Sequence, residues 1–191
     1  MNISLTQLAH KQILESIKPG DIVIDATVGN GHDTLFLAQQ VGKQGIVYGF
    51  DIQQQAIDSA TQRLQANDVL SQTRLFSAGH EQILELIPKK HHGSIRIAMF
   101  NLGYLPGSDK ELTTQQATTL TALKGVLSML SPGGMISILA YTGHPGGKEE
   151  YKMVREFIHQ LPDDQFFCAQ TPDKYQSETP ALLSIKKLIQ I

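Results

Sequence analysis

The chain has 191 residues and a mass of 21.0 kDa, with 41% hydrophobic residues, so we expect a single domain over residues 1–191 with an ordinary apolar core. Its formal net charge of −2 and its pI of about 6.4 exclude a strongly basic nucleic-acid binder, so local groups must hold any RNA partner. The sequence has no membrane-spanning run, no secretion signal, no zinc-ligand spacing and one cysteine, which predicts a cytoplasmic protein without a disulfide, metal site or membrane partner.

The elements of the first half are predicted from apolar spacing and from helix-breaking residues. Contiguous β-branched residues at 22–24 predict a strand buried on both faces. Gly42 ends the helix that follows, and Asn67 closes the next one. The predicted order is a helix over 4–17, a strand over 22–25, a helix over 32–41, a strand over 45–51, a helix carrying Ala56, Ala60 and Leu64, a strand over 73–77, and a short helix over 79–87.

The second half continues the alternation of strands and helices. Residues 89–94 form a polar loop, which we interpret as solvated surface. Thr113 and Gln116 fit a capping box for a helix that residues 132–134, Pro-Gly-Gly, would end. The predicted order is a strand over 95–100, a helix over 113–130, a strand over 135–140, a helix over 148–160, and strands over 165–170 and 182–188.

A glycine-bearing loop follows the first predicted strand, which ends at Asp25. Gly29 and Gly31 allow a tight turn, and Asp51 ends the second strand about 20 residues later, where a carboxylate accepts ribose hydroxyls. A dinucleotide fingerprint would need glycine or alanine at Thr34, so that match fails. Asp51 suits NAD and S-adenosylmethionine (SAM) equally. A carboxylate at Asp25 favours SAM, because it would attract an ammonium and a sulfonium and repel a pyrophosphate.

The alternation through the fifth strand predicts a parallel, doubly wound sheet with right-handed crossovers. The last two strands have no helix between them, so they should pair as an antiparallel hairpin at one edge. This mostly parallel, seven-stranded α/β sheet is the architecture of class I SAM-dependent methyltransferases. We therefore expect chemistry at the carboxyl ends of the strands, at the switch point between strands one and four.

The loop after strand four, residues 101–107, resembles the Asn-Pro-Pro-Tyr loop of amino-group methyltransferases. A nucleophilic amine needs acceptors for its N–H groups, and the Asn101 side-chain oxygen and the carbonyl of Leu102 or Gly103 can supply them. Tyr104 offers a ring on which a base can stack. A turn role for Asn101 and a core role for Tyr104 are the alternatives.

The loop after strand five, residues 141–147, carries His144 and precedes Lys148. Exposed N–H groups at the helix start and the lysine suggest a phosphate or substrate contact, although Glu149 and Glu150 would weaken an anion site. His144 could take the proton that methylation releases, because imidazole is a common general base. A structural role for this loop histidine is the alternative. Three other histidines also lie near predicted strand tips: His10, His32 and His80.

Four segments together resemble the small bacterial family long labelled rRNA methylases: residues 25–34, 49–53, 101–107 and 141–147. The resemblance covers nearly the whole chain. Members of that family act as tRNA wobble-uridine methyltransferases. The resemblance therefore implies conversion of 5-aminomethyl-2-thiouridine at anticodon position 34 to its methylaminomethyl form. Thr27 stands where the wider superfamily usually has its first glycine.

The resemblance and the loops together define the residues that we expect in the site. The expected SAM contacts are Asp25, Thr27, Gly29, Asn30, Gly31, Asp33, Thr34, Asp51, Ile52, Gln53, Gly79, His80 and Asn101. The expected substrate contacts are Tyr104, Leu105, Tyr141, His144 and Lys148. The expected catalytic residues are Asn101, Tyr104 and His144.

The expected partner is a tRNA anticodon stem-loop, and a homodimer is compatible with the sequence. Lysines near strand tips are candidates for phosphate contacts: Lys11, Lys110 and Lys148. Two other functions remain open. One is a methyltransferase for another RNA, such as rRNA, or for a small amine. The other is a SAM-binding module without catalysis, which the loop from Asn101 to Tyr104 argues against.

Overall fold

A computed structural model describes residues 3–103, 114–171 and 180–189. The helices are α1 Leu5–Leu14, α2 His32–Val41, α3 Gln54–Ala66, α4 Ile83–Leu86, α5 Gln116–Met129 and α6 Gly147–His159. The strands are β1 Ile22–Asp25, β2 Ile46–Asp51, β3 Thr73–Ser77, β4 Ile95–Leu102, β5 Leu130–Ala140, β6 Phe166–Thr171 and β7 Ala181–Lys187. Short 3-10 turns lie at Leu70–Gln72, His80–Gln82 and Lys89–His91.

Within these residues, seven strands form one sheet in the order β3-β2-β1-β4-β5-β7-β6. Strands β1 to β5 pair in parallel, whereas β7 is antiparallel to both β5 and β6. The predicted parallel sheet with an antiparallel edge hairpin is confirmed. The chain moves outward from β1 to β3 and then returns to place β4 on the other side of β1. The switch point therefore lies between β1 and β4, as the alternation of elements predicts.

Both faces of the sheet are covered by apolar layers, because neighbouring residues of the central strands point to opposite faces. Ile24 belongs to a cluster that includes Phe50 and Phe100 and packs against α5. Val23 belongs to a second cluster, which includes Leu37 of α2. This double burial explains why the residues of β1 before Asp25 form a continuous apolar run.

Several predicted boundaries are wrong, and the physical reasons differ. The first helix ends at Leu14 rather than at residue 17, where the chain tightens because the N–H of Ser16 donates to the Ile13 carbonyl. The capping box is wrong, because α5 begins at Gln116 and Gln115 is its N-cap; Thr113 lies outside the described residues. Strand β4 runs to Leu102 rather than to residue 100.

Strand β5 begins at Leu130, five positions before the predicted start. Leu130 pairs with Ile95 and Met135 pairs with Ile97, so residues 131–134 form an irregularity inside the pairing. A Cβ on Gly134 would lie 2.8 Å from the Ile95 carbonyl oxygen, which explains the glycine there. In the described ranges, no helix is long and apolar enough to cross a membrane.

Candidate functional site

A cavity of about 810 Å³ opens at the carboxyl ends of β1, β2, β4 and β5. Its walls come from the loop after β1, the end of β2, the end of β4 and the loop after β5. Its volume is within the range of about 300–1,000 Å³ that is typical of small-molecule sites. The cavity therefore lies where the strand order predicts a ligand.

The glycine loop after β1 is held in place by α3. Gly31 has φ +76°, and a Cβ there would lie 2.7 Å from the Ala60 Cβ and 2.8 Å from the Ala60 Cα. On the same helix, Arg63 Nε donates a hydrogen bond of 2.7 Å to the Asn30 carbonyl. Gly31 is thus required for the close approach of a helix, whereas Gly29 and Asn30 line the cavity.

Asp51 closes the other side of this loop. Its Oδ2 accepts a hydrogen bond of 2.9 Å from the Gly29 N–H, and its Oδ1 accepts one of 2.9 Å from the Gln53 N–H. Each carboxylate oxygen can accept a second hydrogen bond. Since Asp51 also lines the cavity, its carboxylate can accept hydroxyl groups of a ligand while it fixes the loop.

Asp25 lies behind the cavity wall and is fully buried. Its Oδ2 accepts a hydrogen bond of 2.6 Å from the Thr34 hydroxyl, and its Oδ1 accepts one of 3.2 Å from the Thr27 N–H. Burial and the nearby charge of Asp33 raise the pKa of Asp25 from 3.8 to about 7, although the hydrogen bonds oppose the rise. Asp25 therefore acts on the cavity through Thr27, which lines it, while Thr34 holds the carboxylate from within the core.

Asp33, in the first turn of α2, is the carboxylate that lines the cavity on this side. Its Oδ1 accepts a hydrogen bond of 2.6 Å from His10 Nε2, and its Oδ2 accepts one of 2.6 Å from Asn101 Nδ2. Burial alone would raise the pKa of Asp33, but these hydrogen bonds and the neighbouring histidines outweigh it and hold the pKa below its usual value. Asp33 is therefore a fixed anion.

Asn101 is held at two points at the end of β4. Its N–H donates a hydrogen bond of 2.7 Å to the Thr27 hydroxyl, which explains a threonine where the wider superfamily usually has glycine. Its side-chain amide donates to Asp33. Because an ionised carboxylate only accepts hydrogen bonds, the Asn101 nitrogen must face Asp33, and the oxygen points away from it.

A buried carboxylate, Glu150, holds Thr114, which pairs with Gly103 across the segment 104–113. Gly103 donates its N–H to the Thr114 hydroxyl, and the Thr114 N–H donates to the Gly103 carbonyl, each at 3.0 Å. The hydroxyls of Thr114 and Thr119 each donate to Glu150 at 2.6 Å. The Glu150 carboxylate thus faces inward, whereas Glu149 is exposed.

The loop after β5 places two of its predicted residues in the cavity wall. His144 Nδ1 lies 3.0 Å from the Pro145 carbonyl, and since a carbonyl only accepts, Nδ1 donates this hydrogen bond; in the neutral ring, the acceptor nitrogen is then Nε2. A Cβ on Gly147 would lie 2.8 Å from Nε2, so a glycine lets α6 begin beside this ring. Tyr141 also lines the cavity and is 41% exposed. Lys148 is exposed but does not line the cavity.

His80, which follows β3, also lines the cavity. Its ring packs edge-on against Phe100, with centroids 5.9 Å apart, and its Nε2 lies 3.4 Å from the Thr119 hydroxyl. Burial lowers the pKa of His80, so the ring is neutral at pH 7. His80 can therefore offer a polar contact without a charge.

The structure brings most of the predicted residues together around the cavity. Those in its wall are Thr27, Gly29, Asn30, Asp33, Asp51, Ile52, Gln53, Gly79, His80, Asn101, Tyr141 and His144. Those outside the wall are Asp25, Gly31, Thr34 and Lys148. Tyr104, Leu105 and Lys110 lie outside the described residues.

Sequence reasoning missed the residues that support the wall from behind. Arg63 and Glu150 have no motif, since their partners are 33 and 36 positions away. For Glu150 the misleading feature was its place at a helix start, which suggested repulsion of an anion. His10 was noted only for its place near a strand tip, and its spacing from Asp33 follows no local pattern.

The comparisons with known proteins agree on a family. A family model described as "Putative rRNA methylase" matches residues 47–187. The chloroplastic tRNA (mnm(5)s(2)U34)-methyltransferase of Arabidopsis thaliana is 41% identical over 171 residues, which cover 85% of this chain and 62% of that protein. A demethylmenaquinone methyltransferase of Lactobacillus johnsonii is 26% identical over 85% of this chain and 65% of that protein. The chain thus spans about two thirds or less of the length of these curated relatives.

Two solved structures match over nearly their whole length. A "putative rRNA-methylase" from Clostridium thermocellum is 36% identical, with a TM-score of 0.90, covering 98% of this chain and 99% of that one. A "putative methyltransferase" from Streptococcus mutans, solved in complex with SAH, is 34% identical, with a TM-score of 0.86. The match covers 98% of this chain and 100% of that one.

Proposed function

Because the chain belongs to the family described as "Putative rRNA methylase", we propose that it is a SAM-dependent N-methyltransferase. Its proposed substrate is 5-aminomethyl-2-thiouridine at wobble position 34 of tRNA, and its proposed product is the 5-methylaminomethyl form. The observation that carries this proposal is the fixed amide of Asn101 in the cavity wall. The Arabidopsis relative, a tRNA (mnm(5)s(2)U34)-methyltransferase by name, supports the choice of substrate.

The residues of the cavity fit SAM. The Asp51 carboxylate would hold the ribose hydroxyls, and Ile52, which is 58% exposed beside it, offers an apolar surface for the base. The fixed negative charge of Asp33 would attract the cationic methionine end of the cofactor. When bound, SAM supplies an electrophilic methyl group, which an amine lone pair takes as the carbon–sulfur bond breaks and its electron pair stays on sulfur.

Asn101 would act on the amine. Because Asp33 holds the Asn101 nitrogen, the oxygen Oδ1 can accept an N–H of the substrate and direct the nitrogen lone pair. Only the neutral amine has that lone pair, and a site shielded from water favours the neutral form. The negative charge of Asp33 would then stabilise the positive charge that develops on the nitrogen.

His144 would take the proton that the methylated nitrogen must lose. The hydrogen bond to the Pro145 carbonyl leaves the lone pair on Nε2, which is the state that a base requires. Tyr141 would stack on the base, and Tyr104 and Leu105 are proposed to complete the substrate contacts. The partner would be a tRNA anticodon stem-loop, bound by one chain or by a homodimer.

The test is methyl transfer from labelled SAM to an anticodon stem-loop with and without the aminomethyl group. We expect transfer only to the aminomethyl form, with kcat about a hundredfold lower for Asn101→Ala, comparable to the loss of one oriented catalytic hydrogen bond. SAM affinity should change little. Asn67→Ala is the matched control, because Asn67 is exposed at the end of α3. Full turnover in Asn101→Ala would show that the amine lies elsewhere.

The second candidate function is methyl transfer to rRNA or to a small amine, and parallel assays with these substrates test it. A segment of 62 residues is 44% identical to ribosomal RNA small subunit methyltransferase H of Streptococcus mutans, which is the observation that favours rRNA. Methylation of rRNA but not of the stem-loop would overturn the tRNA proposal and keep the methyltransferase. SAM binding without methylation of any of these substrates would indicate a module without catalysis.

A further inference from the structure

We propose that His10 is a positioning residue for methyl transfer: it holds the Asp33 carboxylate, which in turn orients the amide of Asn101. This inference rests on the proposed function, because it takes Asn101 as the acceptor for the amine. His10 lies on α1, which the family model, matched over residues 47–187, does not include.

The chain of contacts is short at each step. His10 Nε2 lies 2.6 Å from Asp33 Oδ1, and Asn101 Nδ2 lies 2.6 Å from Asp33 Oδ2. The side chains of His10 and Asp33 are 26% and 10% exposed, so water competes little for these bonds. One carboxylate thus joins α1 to the end of β4 through the first turn of α2.

The position of the His10 ring is itself fixed. The ring stacks on Phe36 of α2, with centroids 3.8 Å apart and an interplanar angle of 3°. The preceding residue, Ala9, is buried against Leu139 of β5 and Leu182 of β7. A ring that stacks on Phe36, on a helix that is anchored at Ala9, offers Nε2 in one place, so it restricts the Asp33 carboxylate to one rotamer.

The rotamer of Asp33 decides which end of the Asn101 amide faces the substrate. An ionised carboxylate accepts hydrogen bonds, so it pairs with the amide nitrogen and rejects the amide oxygen. Without His10, Asp33 can turn toward solvent, and the Asn101 amide can then rotate and present its nitrogen to the amine. Such an amide would donate where the amine needs an acceptor, so turnover would fall by more than the affinity for SAM, which depends on Asp33 only through its charge.

The experiment compares His10→Leu, His10→Gln and the exposed control His159→Leu in the stem-loop assay. We expect His10→Leu to lower kcat about tenfold, because the acceptor for the amine is displaced, and to raise KM for SAM by a smaller factor, because the Asp33 charge stays near the cavity. His10→Gln keeps a donor and should recover most of the loss. Combining His10→Leu with Asn101→Ala should lower kcat no further than Asn101→Ala alone, because His10 acts through Asn101.

A second measurement uses the protein without substrate. The side-chain amide signals of Asn101 in a ¹⁵N–¹H spectrum, identified by their loss in Asn101→Ala, should shift in His10→Leu and keep their place in His10→Gln. Unchanged signals, unchanged kcat in His10→Leu, or additive losses in the double variant would each overturn the role of His10. An inactive wild-type protein would overturn the proposed function instead, and the amide signals would still decide the positioning.

Discussion

Two neighbouring carboxylates at the same end of the sheet, Asp25 and Asp33, have pKa values that are shifted in opposite directions. Asp25 has only neutral hydrogen-bond donors, so burial dominates and its pKa rises to about 7. Asp33 is also buried, but bonds from His10 and Asn101 hold its pKa below the usual value. At this scale the hydrogen-bond donors, rather than burial, decide which carboxylate is the anion of the site.

Melting temperature as a function of pH should show this contrast. The folded protein binds the Asp25 proton more tightly than the unfolded chain does, so Asp25 lowers the free energy of unfolding as the pH rises from 3.8 to about 7. Asp25→Asn removes this cost. We expect the variant to gain stability relative to the wild type as the pH rises from about 5 to about 7, the upper part of this window.

Asp33→Asn is the matched control, because the sign of its effect is reversed. The lowered pKa of Asp33 stabilises the fold above the unfolded pKa, and this contribution disappears as the pH falls through the folded value. Asp33→Asn should therefore lose stability relative to the wild type at neutral pH. A constant difference in melting temperature between Asp25→Asn and the wild type would show that Asp25 is already ionised at pH 5.

The cofactor site gives a second prediction at the residue scale. Asp51→Ala should weaken SAM more than tenfold, because losing a charged acceptor costs about 1.5–3 kcal/mol. Loss of its bonds to the N–H groups of Gly29 and Gln53 adds to the effect. Calorimetry would measure the affinity, with the exposed Asp58→Ala on α3 as the control. Equal affinities in a folded Asp51→Ala protein would mean that the ribose binds elsewhere.

Elements were predicted from the sequence more reliably than their ends. Gly42 ends α2 as expected, because the helix stops where the next residue has φ +63°. Residues 132–134 predicted the end of α5, yet they interrupt β5 after it has begun at Leu130. The start of β5 depends on pairing with Ile95, a contact between distant positions. No local pattern carries such a contact, and the same holds for the bond of His10 to Asp33.

Packing between α3 and the glycine loop can be tested with a pair of glycines. Gly31→Ala should destabilise the fold by about 2–4 kcal/mol, since a left-handed alanine costs roughly 1–2 kcal/mol and its Cβ would also overlap Ala60. Gly146→Ala is the matched control, because Gly146 has the same left-handed backbone, with φ +81° and ψ −12°, but its Cβ would meet nothing within 4 Å. Chemical denaturation should show a clearly larger loss for Gly31→Ala. Equal losses would mean that α3 moves aside at little cost.

At the scale of the whole molecule, a net charge of −2 limits how RNA can be held. Lys11 and Lys148 are exposed, and we expect each to neutralise one phosphate. For these two phosphates, the plot of log affinity against log salt should have a slope of about −1.4 to −1.8, at about 0.7–0.9 per phosphate. Lys11→Ala and Lys148→Ala should each reduce its magnitude by about 1, whereas Lys43→Ala, beside the amino end of β2, should not. A slope as steep as that of a strongly basic protein would contradict this expectation.

The hydrogen bonds between Gly103 and Thr114 hold the two ends of the connection together. The number of residues between them can therefore change during evolution. Glu150 holds the Thr114 hydroxyl from within the core, so the two ends stay together whatever chain joins them. Lengthening such a connection is cheap, at about 0.6 kcal/mol for each doubling. Relatives of this protein could therefore exchange residues 104–113 for segments of other lengths and acquire new substrates, while β4 continues to place the Asn101 amide in the cavity wall.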